Sequence, residues 1–551
     1  GQSKQLIIND AGVITLKGNA TGLDDFKVTQ SAPGTSTTTL ENGITISAAD
    51  ELLIQGNVTL ANPVAGTQTY TLRGNSVSLT HDVAAQDNSL TIRANTLSLG
   101  GMLSGTSATA QASISTLSND RGISLATTAA NTLELSQTLL TQFSAFSQLT
   151  IGRADSNSAI TALALTLGND LTLTSGTAAI NLASVTGAGF DLSLNSTGTT
   201  TLGGAITGVD ALTTNAGGTT AINANVSATT QTYNDGITLG GTAGEARTLS
   251  GTSIDIKSGV AAGSHNLTLE ADTLAVAGSS TADAGVGVTL RTQTADRTIG
   301  LAGGAGDTSI SQATLNALGG ASGFRSITVG AGNGAIVANA LGLSTALILN
   351  AGTADITLAG ITGAGFDLSL NSIGTTLLGG TVTGVGALTT NSGGTTTISA
   401  DITTTGAQQY NDNVTIGGTG TRTLSASALS LNGTLNVDGR SIALLADTLS
   451  MSNNVTGAGA GQTATLATQT ADKSIGLAGG AGDLALSQAL LSRFNSFGNL
   501  TVGRANSNSA ITAGALQLGT HTTLVGGAAA INLAAITGNN FDLTVNTSGV
   551  T

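Results

Sequence analysis

The stretch FDLSLN occupies residues 190–195, and copies of it stand at residues 366–371 (FDLSLN) and 541–546 (FDLTVN). Within each copy an apolar residue alternates with a polar one, as in Leu192 followed by Ser193. Alternation with a period of two is typical of a β-strand that buries one face. The stretch therefore predicts a strand in each copy, with the leucine after the aspartate pointing inward.

These copies belong to a much longer internal repeat. Asp120, Asp296 and Asp472 each precede a basic residue, and the interval from the first to the second equals the interval from the second to the third. A long period with so few insertions indicates that one unit was duplicated, and internal repeats decide the fold class. We expect the duplication to lengthen one architecture rather than to add unrelated domains.

Four consecutive regions follow from this period. Residues 1–42 are expected to form degenerate amino-terminal coils. Residues 43–218 and 219–394 are two repeat units, and residues 395–551 are an incomplete third. No proline-rich or charged linker separates them, so we expect one continuous solenoid without hinges.

The composition favours thin sheets over a conventional core. The 551 residues include 77 Gly but only 9 Phe, 3 Tyr and no Trp, whereas conventional cores depend on large aromatic side chains. The 2 prolines, Pro33 and Pro63, both lie near the start, so later residues can all donate a backbone N–H. We predict an all-β right-handed parallel β-helix, that is, a β-solenoid, with coils of roughly 20 residues stacked about 4.8 Å apart. Apolar residues would form inward ladders, and Thr, Ser and Asn would face solvent.

One stretch in each unit departs from the strand pattern. Residues 135–146 (LSQTLLTQFSAF) reappear at residues 486–497 (LSQALLSRFNSF), where two leucines and both phenylalanines share one helical face. The middle copy, at residues 310–319, keeps the start and then runs into glycine. We predict a short helical excursion once per repeat, with its phenylalanines packed on the flank of the solenoid rather than used for binding.

The charge balance argues against nucleic acid as a partner. There are 17 Lys and Arg against 31 Asp and Glu, a net charge of −14, whereas phosphate binding needs clustered cations. The chain has no cysteine, so neither disulfides nor thiol chemistry are available. Residues 1–5 lack the apolar core of a signal peptide, so we expect a processed chain or a fragment.

Two further pairs of segments resemble a known family. YNDGITLGG at residues 233–241 matches YNDNVTIGG at residues 410–418, and ALTTN stands at residues 211–215 and 387–391. Over residues 43–551 this style of repeat resembles the shafts of filamentous-haemagglutinin-like exoproteins, the surface adhesins that Gram-negative bacteria export by two-partner secretion.

The resemblance implies a parallel β-helix shaft used for attachment or display on the bacterial outer cell surface. It implies an outer-membrane transporter for export. The expected partners are a receptor or glycan on a host or neighbouring cell, or copies of the same chain stacked end to end.

Catalytic and metal centres are not predicted. The three histidines, His81, His265 and His521, are unrelated by the repeat and lie in polar, turn-like contexts. Neither a zinc cluster nor a catalytic triad has its parts in such an arrangement, and we interpret these residues as surface histidines. We predict no catalytic, cofactor-binding or metal-binding residues, no cofactor and no enzyme.

Two other functions stay open as alternatives. A carbohydrate-active β-helix enzyme would work with clustered carboxylates. Asp191, Asp367 and Asp542 recur once per unit, whereas a catalytic centre is ordinarily unique, so outward strand positions are favoured for them. A self-assembling surface-layer, filament or ice-ordering solenoid would need threonine triplets, such as residues 199–201 and 395–397, to align from coil to coil.

Turn residues give a weaker signal. The GGAGD segments at residues 303–307 and 479–483 are similar to calcium-roll repeats, which recur every nine residues. Here the segment comes once per unit with a different aspartate spacing, so a turn is favoured and calcium is left open. Asn195, Asn371 and Asn546 are expected at corners, in left-handed or side-chain-bonded conformations.

The end of the sequence carries one more expectation. Residues 546–551 stop where the earlier units continue with another turn, and no polar cap follows. An open coil offers unpaired backbone groups to any arriving strand. We expect the native polypeptide to continue with further copies, or the last coil to stack on another molecule.

Overall fold

Parallel strands make up most of the chain. The computed structural model describes residues 3–10, 12–30, 32–61, 66–105, 109–330 and 332–549. Gly1, Gln2, Pro63, Val550 and Thr551 lie outside the described residues, so the expectations that rest on them stay predictions.

The chain divides into two units. Unit 1 comprises the residues up to Glu270 and Ala275–Thr281, and unit 2 comprises Ala271–Leu274 and the residues from Ala282 onward. This division falls inside the region 219–394 that the sequence repeat defines. The three repeat boundaries themselves stay predictions.

Strands of two to eleven residues follow one another in both units. Those of unit 1 are Gln5–Asp10, Val13–Leu16, Ala20–Gln30, Thr37–Glu41, Thr45–Ile54, Asn57–Ala61, Thr69–Leu79, Val83–Gln86, Ser89–Leu99, Leu103–Gly105, Gln111–Ser115, Gly122–Leu125, Thr132–Leu135, Gln148–Gly152, Ile160–Thr166, Asp170–Gly176, Ile180–Thr186, Leu192–Ser196, Thr199–Leu202, Ile206–Thr214, Thr219–Ile222, Val226–Tyr233, Gly236–Leu239, Arg247–Ser250, Ser253–Ile256, Val260–Gly263 and Leu267–Glu270. Two short strands contain residues of both units: Thr273–Val276 and Thr281–Ala282.

The strands of unit 2 are equally short. They are Gly287–Arg291, Ile299–Leu301, Thr308–Ile310, Ser326–Val329, Ile336–Gly342, Ala346–Gly352, Ile356–Thr362, Leu368–Ser372, Thr375–Leu378, Val382–Val385, Leu388–Thr390, Thr395–Ile398, Ile402–Thr404, Ala407–Tyr410, Asn413–Ile416, Arg422–Leu431, Leu435–Asn436, Ile442–Met451, Val455–Thr456, Thr463–Ala467, Ile475–Leu477, Leu484–Leu486, Asn499–Gly503, Ile511–Ala513, Leu516–Gln517, His521–Gly527, Ile531–Leu533, Ile536–Thr537 and Leu543–Thr547.

Each coil directs its inward side chains onto three faces. In one coil of unit 1 these side chains come in three pairs, each residue at most 5% exposed: Ile160 and Ala162, Leu165 and Leu167, and Leu171 and Leu173. The next coil begins at Ile180, which pairs with Ile160 in a parallel strand. Both units are all-β parallel β-solenoids, and this coil has the predicted length of roughly 20 residues.

Parallel pairing stacks equivalent residues of successive coils. Leu171 pairs with Leu192, and Leu192 pairs with Leu212. Leu192 is 0% exposed and Leu368 1%, which confirms their predicted inward direction, whereas Leu543 is only half-buried. Burial of one such leucine stabilises the fold by about 1.5–3 kcal/mol, and its packing depends on the coils directly above and below.

Neighbouring faces of unit 2 carry separate columns of inward residues. The first column runs through successive coils as Leu341, Ile361, Val382, Ile402, Leu424, Leu444, Leu466, Val502 and Leu524. The second column runs as Leu347, Leu368, Leu388, Gln408, Leu429 and Leu449. The columns are distinct because Leu341 and Leu347 belong to consecutive strands of one coil.

Helices interrupt the strands where the sequence predicts them. They are α1 (Gln137–Thr141), α2 (Gln312–Leu318) and α3 (Gln488–Leu491), the last continued by a 3-10 turn at Ser492–Phe494. No helix among the described residues has the length and apolar character that crossing a membrane requires.

A serine begins each helix and supplies its cap. The hydroxyl of Ser136 accepts the N–H of Leu139 at 3.1 Å, and Ser311 and Ser487 make the equivalent bonds. Such caps satisfy one of the free N–H groups at a helix start. The helices are thus specified locally, although each is too short to be stable alone.

Phenylalanines follow α1 and α3 and pack inward. The rings of Phe143 and Phe146 lie 6.2 Å apart, as do those of Phe494 and Phe497. All four side chains are at most 3% exposed. Their burial confirms the packing interpretation.

Some inward positions are polar, which the sequence analysis did not anticipate. In unit 1 the carboxylate of Asp235 is 4% exposed and accepts the hydroxyls of Thr214 (2.8 Å) and Thr220 (2.9 Å). The matching cluster in unit 2 consists of Asp412, Thr390 and Thr396. Buried polar groups of this kind are tolerated because they are hydrogen-bonded to one another.

The tyrosines of the YND segments also lie inside. Tyr233 donates to Gln231 Oε1 at 2.9 Å, and Tyr410 donates to Gln408 at 3.1 Å. Burial, together with the nearby Asp235 carboxylate, raises the pKa of Tyr233 far above its ordinary value. These tyrosines are therefore neutral core residues.

Candidate functional site

A β-bulge shapes the surface of unit 2 at Gly352. The register between the paired strands Ala346–Gly352 and Leu368–Ser372 shifts after Asn350, and Gly352 has a φ of 58°. A Cβ at this position would lie 2.4 Å from Asn333 Oδ1, so the bulge requires glycine. Bulges bend the strand that carries them, and a cleft lies beside this one.

The cleft is uncharged and rich in amides. Its volume is about 590 Å³, which lies within the range of small-molecule sites. Its lining consists of Gly332, Asn333, Asn350, Gly352, Asn371, Ser372, Ile373 and Asn391. We call this set the Asn cleft.

Hydrogen bonds fix the amides of the Asn cleft. Asn371 Nδ2 donates to Asn350 Oδ1 at 2.7 Å. Asn333 Oδ1 accepts the N–H of Thr353 at 3.2 Å. These bonds join successive coils, because the partners stand 20 or 21 residues apart.

Asn391 is held more completely than the other amides. Its Oδ1 accepts the N–H of Ser372 at 2.8 Å, and its Nδ2 donates to the carbonyl of Ser392 at 3.0 Å. The Ser372 hydroxyl donates in turn to the carbonyl of Ala354 at 2.6 Å. Asn391 and Ser372 are therefore held in place by hydrogen bonds on this side of the cleft.

Three amide groups stay available to a ligand. Within the described part of the chain, no partner is hydrogen-bonded to Asn333 Nδ2, Asn350 Nδ2 or Asn371 Oδ1. Two of these groups are donors and one is an acceptor. Beside them Ile373 is 59% exposed, and the nearby Asp296 carboxylate is engaged by the N–H of Asn333 at 3.1 Å.

Unit 1 contains the same bulge, but three positions of the lining differ: Ser156, Thr174 and Thr197 stand where unit 2 has Gly332, Asn350 and Ile373. Gly176 has a φ of 59°, and the strand register shifts between Thr174 and Gly176. Thr174 and Thr197 stand exactly one repeat before Asn350 and Ile373 in the sequence. The remaining asparagine positions are kept in unit 1 as Asn157, Asn195 and Asn215.

A second surface feature lies on unit 1, where hydroxyl side chains form one straight column. Its nine members occupy paired positions in successive coils and are all half-exposed: Thr45, Thr71, Thr91, Ser113, Thr150, Thr172, Ser193, Thr213 and Thr232. Consecutive hydroxyls are therefore about 4.8 Å apart along the stack.

The neighbouring columns are not uniform. Arg73 and Arg93, which pair with each other, each lie two residues after a hydroxyl of the column. Gln111 and Gln148, which also pair, each lie two residues before one. Arginine side chains thus flank two of the hydroxyls on one side, and glutamine side chains flank two others on the opposite side. A single hydroxyl column bordered in this way is not the flat array that ordering of ice would need.

The threonine triplets do not provide that array either. Thr200 is 1% exposed and Thr396 0%, so the middle residue of each triplet points into the core. Thr199 faces out and pairs with Thr219, but the next partner in that column is Gly236. One hydroxyl of each triplet therefore belongs to the interior, and the outward column that contains Thr199 is interrupted by glycine.

The repeated aspartates are half-exposed or exposed, as expected of outward positions, but each lies one residue before its strand rather than within it. Asp191 precedes Leu192–Ser196 and accepts the N–H of Ala211 at 2.9 Å. Asp367 accepts the N–H of Ala387 at 2.8 Å. A carboxylate that bonds the next coil's backbone satisfies an N–H that would otherwise be left free at the turn.

Asparagines of the FDLSLN copies are not corner residues, contrary to expectation. They lie within the strands Leu192–Ser196, Leu368–Ser372 and Leu543–Thr547. Their side chains face outward from those strands and are half-buried or exposed. For Asn371 this places the amide in the cleft.

The histidines differ from one another in burial. His81 is half-buried, and its Nδ1 lies 2.9 Å from Thr80 Oγ1. His265 is 6% exposed and is bonded through Nδ1 to the carbonyl of Glu245, so its interpretation as a surface residue was wrong. His521 is exposed and lies 3.2 Å from Asp542.

The GGAGD segments form turns, as expected. Asp307 closes its turn by accepting the hydroxyl of Thr298 at 2.8 Å and the N–H of the same residue at 3.2 Å. Those hydrogen bonds hold the pKa of Asp307 below its ordinary value. Among the described residues no three His, Cys, Asp or Glu side chains group closely enough to hold a metal ion.

Comparisons with known proteins assign no family to this chain, so its class is defined by the structure alone. No protein-family model, no curated protein and no solved structure matches this chain. What the structure defines is the class: a parallel β-solenoid made of short three-faced coils.

The Asn cleft was not predicted from the sequence. One signal was present, because Asn350 and Ile373 differ from their counterparts Thr174 and Thr197 within an otherwise repeated frame. A difference between repeats does not show that the position faces a concavity. That requires the coil register, which the sequence does not display.

Proposed function

We propose that this chain is the structural and adhesive shaft of a large bacterial surface exoprotein. The single observation that carries the proposal is coil-to-coil stacking within each unit, in which strands pair with the equivalent strands of adjacent coils. Such an architecture adds length without changing the packing of existing coils. Length and a repeated outer surface are what a shaft needs.

The placement of the carboxylates supports a structural role. Asp191 and Asp367 would be the first candidates for catalysis, but each is occupied by a backbone N–H of the next coil. Asp235 and Asp412 are buried among threonine hydroxyls. These contacts support a structural role for the four carboxylates.

In this proposal the chain reaches the outer cell surface through an outer-membrane transporter. Its partner is a receptor or glycan on a host or neighbouring cell, and the exposed sides of the coils present the binding surfaces. The shaft is passive, because nothing in its action requires bond making or breaking.

Surface labelling and adhesion assays test this function. Antibodies raised against the chain should label intact cells of the encoding bacterium, and protease treatment of those cells should remove the signal. Beads coated with the purified chain should adhere to target cells more than albumin-coated beads. Retention of the chain in the cytosol, together with adhesion no greater than that of albumin, would contradict the proposal.

A further inference from the structure

We infer that the Asn cleft of unit 2 binds a neutral oligosaccharide. The inference deepens the proposed adhesive function, on which it rests for its biological setting. It concerns the site formed by four asparagines and Ile373, and it assigns the chemical class of the ligand.

Available amide groups match the hydrogen-bonding character of sugar hydroxyls. A hydroxyl both donates and accepts, and an amide side chain offers both functions from one planar group. The open positions are Asn333 Nδ2, Asn350 Nδ2 and Asn371 Oδ1. The bond between Asn371 and Asn350 holds these two amides in place before a ligand arrives, which lowers the ordering cost of binding.

The charge of the cleft selects against acidic sugars. None of its lining residues is charged, whereas sulfate, phosphate and carboxylate groups are ordinarily recognised by arginine or lysine. Asp296, which is bonded to the backbone of Asn333, adds a negative charge close by. A neutral ligand is the one these surroundings favour.

Ile373 supplies the apolar part of the site. Its side chain is 59% exposed, although a branched aliphatic residue is usually buried. Sugar rings carry an apolar C–H face as well as hydroxyls. Covering Ile373 with that face removes apolar surface from water while the hydroxyls meet the amides.

A peptide fits the cleft less well than a sugar does. Extended peptides commonly bind by adding a strand to a free sheet edge and placing alternate side chains in pockets. Both strands at the cleft already have partners on each side, since Ser326–Val329, Ala346–Gly352, Leu368–Ser372 and Leu388–Thr390 pair in that order. No edge is free at these described strands, and the cleft has one apolar side chain rather than a row of pockets.

Unit 1 shows which side chains are compatible with the bulge. It keeps the bulge glycine at Gly176 and carries Thr174 and Thr197 at two of the three lining positions that differ. The double variant Asn350→Thr with Ile373→Thr therefore introduces, at these two positions, side chains that unit 1 already carries beside the same bulge. The reciprocal variant, Thr174→Asn with Thr197→Ile, changes only unit 1 and serves as the matched control.

A glycan array followed by calorimetric titration tests the inference on the full chain. The array carries neutral, sialylated and sulfated oligosaccharides, together with unglycosylated peptides. We expect neutral oligosaccharides to be retained, and the tightest of them to bind N350T/I373T roughly tenfold or more weakly, at unchanged Tm, since polar and apolar contacts are lost together. The T174N/T197I control should keep at least the wild-type affinity.

Several results would overturn the inference. These are retention of no neutral oligosaccharide, equal binding by wild type and N350T/I373T, displacement of the sugar by an unglycosylated peptide, or loss of binding in the unit 1 control. If coated beads still adhere to cells and N350T/I373T adheres equally, the shaft function stands and the assignment of the cleft fails. If the chain is retained in the cytosol and coated beads do not adhere, although the cleft binds sugar, the proposed function fails alone.

Discussion

Asn371 Nδ2 donates to Asn350 Oδ1 over 2.7 Å, although the two residues stand 21 positions apart in the chain. One coil of the solenoid separates them, so the bond runs along the stack and not around it. The same step brings the carboxylate of Asp367 to the N–H of Ala387. Because such hydrogen bonds join neighbouring coils, we expect a single substitution to destabilise the adjacent coils first.

Leu368 and Ser369 test the direction of the side chains in the strand Leu368–Ser372. Leu368→Asp buries an unpaired charge between Leu347 and Leu388 and should destabilise the fold by several kcal/mol. Ser369→Asp on the half-exposed side should change the free energy of unfolding by less than about 0.5 kcal/mol. Thermal unfolding with hydrogen exchange should show loss of protection confined to nearby coils in the first variant. Equal effects of the two changes would show that the strand register is wrong.

Asp412 tests the buried polar cluster of unit 2. Asp412→Ala leaves the hydroxyls of Thr390 and Thr396 without their acceptor, which should cost about 1–3 kcal/mol. The exposed Asp283 provides the control, since Asp283→Ala should stay within about 0.5 kcal/mol of the parent. Chemical denaturation of the three proteins measures both differences. A parent-like Asp412→Ala would mean that the cluster contributes nothing net.

The turn at Asp307 should contribute to stability in a pH-dependent way. The Thr298 hydroxyl and N–H lower the pKa of Asp307 below its ordinary 3.8. Because the folded pKa is depressed, the stabilisation is present above pH 3.8 and is lost as the pH falls through the folded value. Thr298→Val removes the hydroxyl donor, so it should raise the pKa of Asp307 towards 3.8 and reduce this acid loss. Carbon-detected NMR titration of the carboxyl checks the shift, and an unchanged pKa in the variant would contradict it.

Gly352 and Gly365 separate backbone strain from steric collision. Both have positive φ, but a Cβ on Gly352 would lie 2.4 Å from Asn333 Oδ1, while a Cβ on Gly365 would meet nothing within 4 Å. Gly365→Ala should cost about 1–2 kcal/mol from the left-handed conformation alone. Gly352→Ala should cost more and displace Asn333, which Tm measurements and sugar titration would show. Equal Tm values for the two variants would mean that the bulge can relax around the added methyl.

The sequence predicted the strands well because burial alternates with a period that it displays directly. In the FDLSLN copies each inward leucine is visible as an apolar residue between polar ones, and Leu192 and Leu368 are buried as expected. The helices were equally visible, because their apolar spacing and leading serine are local features. These parts of the fold are specified within a few neighbouring residues.

Register between coils could not be predicted, because coils differ in length. In unit 1 the hydroxyl column steps from Thr45 to Thr71, then from Thr71 to Thr91, and later from Ser113 to Thr150, and these three intervals are all unequal. No fixed period exists that would have revealed this column. The Asn cleft depends on the same hidden register.

Polar residues were misjudged for a related reason. In the sequence Asp191 resembles one polar residue of an alternating strand. Its carboxylate instead accepts the backbone N–H of Ala211 in the next coil. His265 looks exposed in its polar context, but the carbonyl of Glu245 in the preceding coil satisfies its ring and permits burial. In both cases the deciding partner lies one coil away.

The two columns of inward residues in unit 2 have a consequence for valency. Gly352 belongs to the strand that carries Leu347 and Leu349, whereas the equivalent bulge glycine Gly527 follows Leu524 and belongs to the other column. Eight coil steps lead from Leu341 to Leu524, and Gly352 lies one face after Leu341, so within unit 2 one repeat advances the outer surface by eight coils less one face of three. Within unit 2 the turn at Gly352 and its counterpart at Gly527 therefore face different sides of the stack, so a ligand that extends along the coils beside the Asn cleft would meet new side chains rather than a second copy of the same turn.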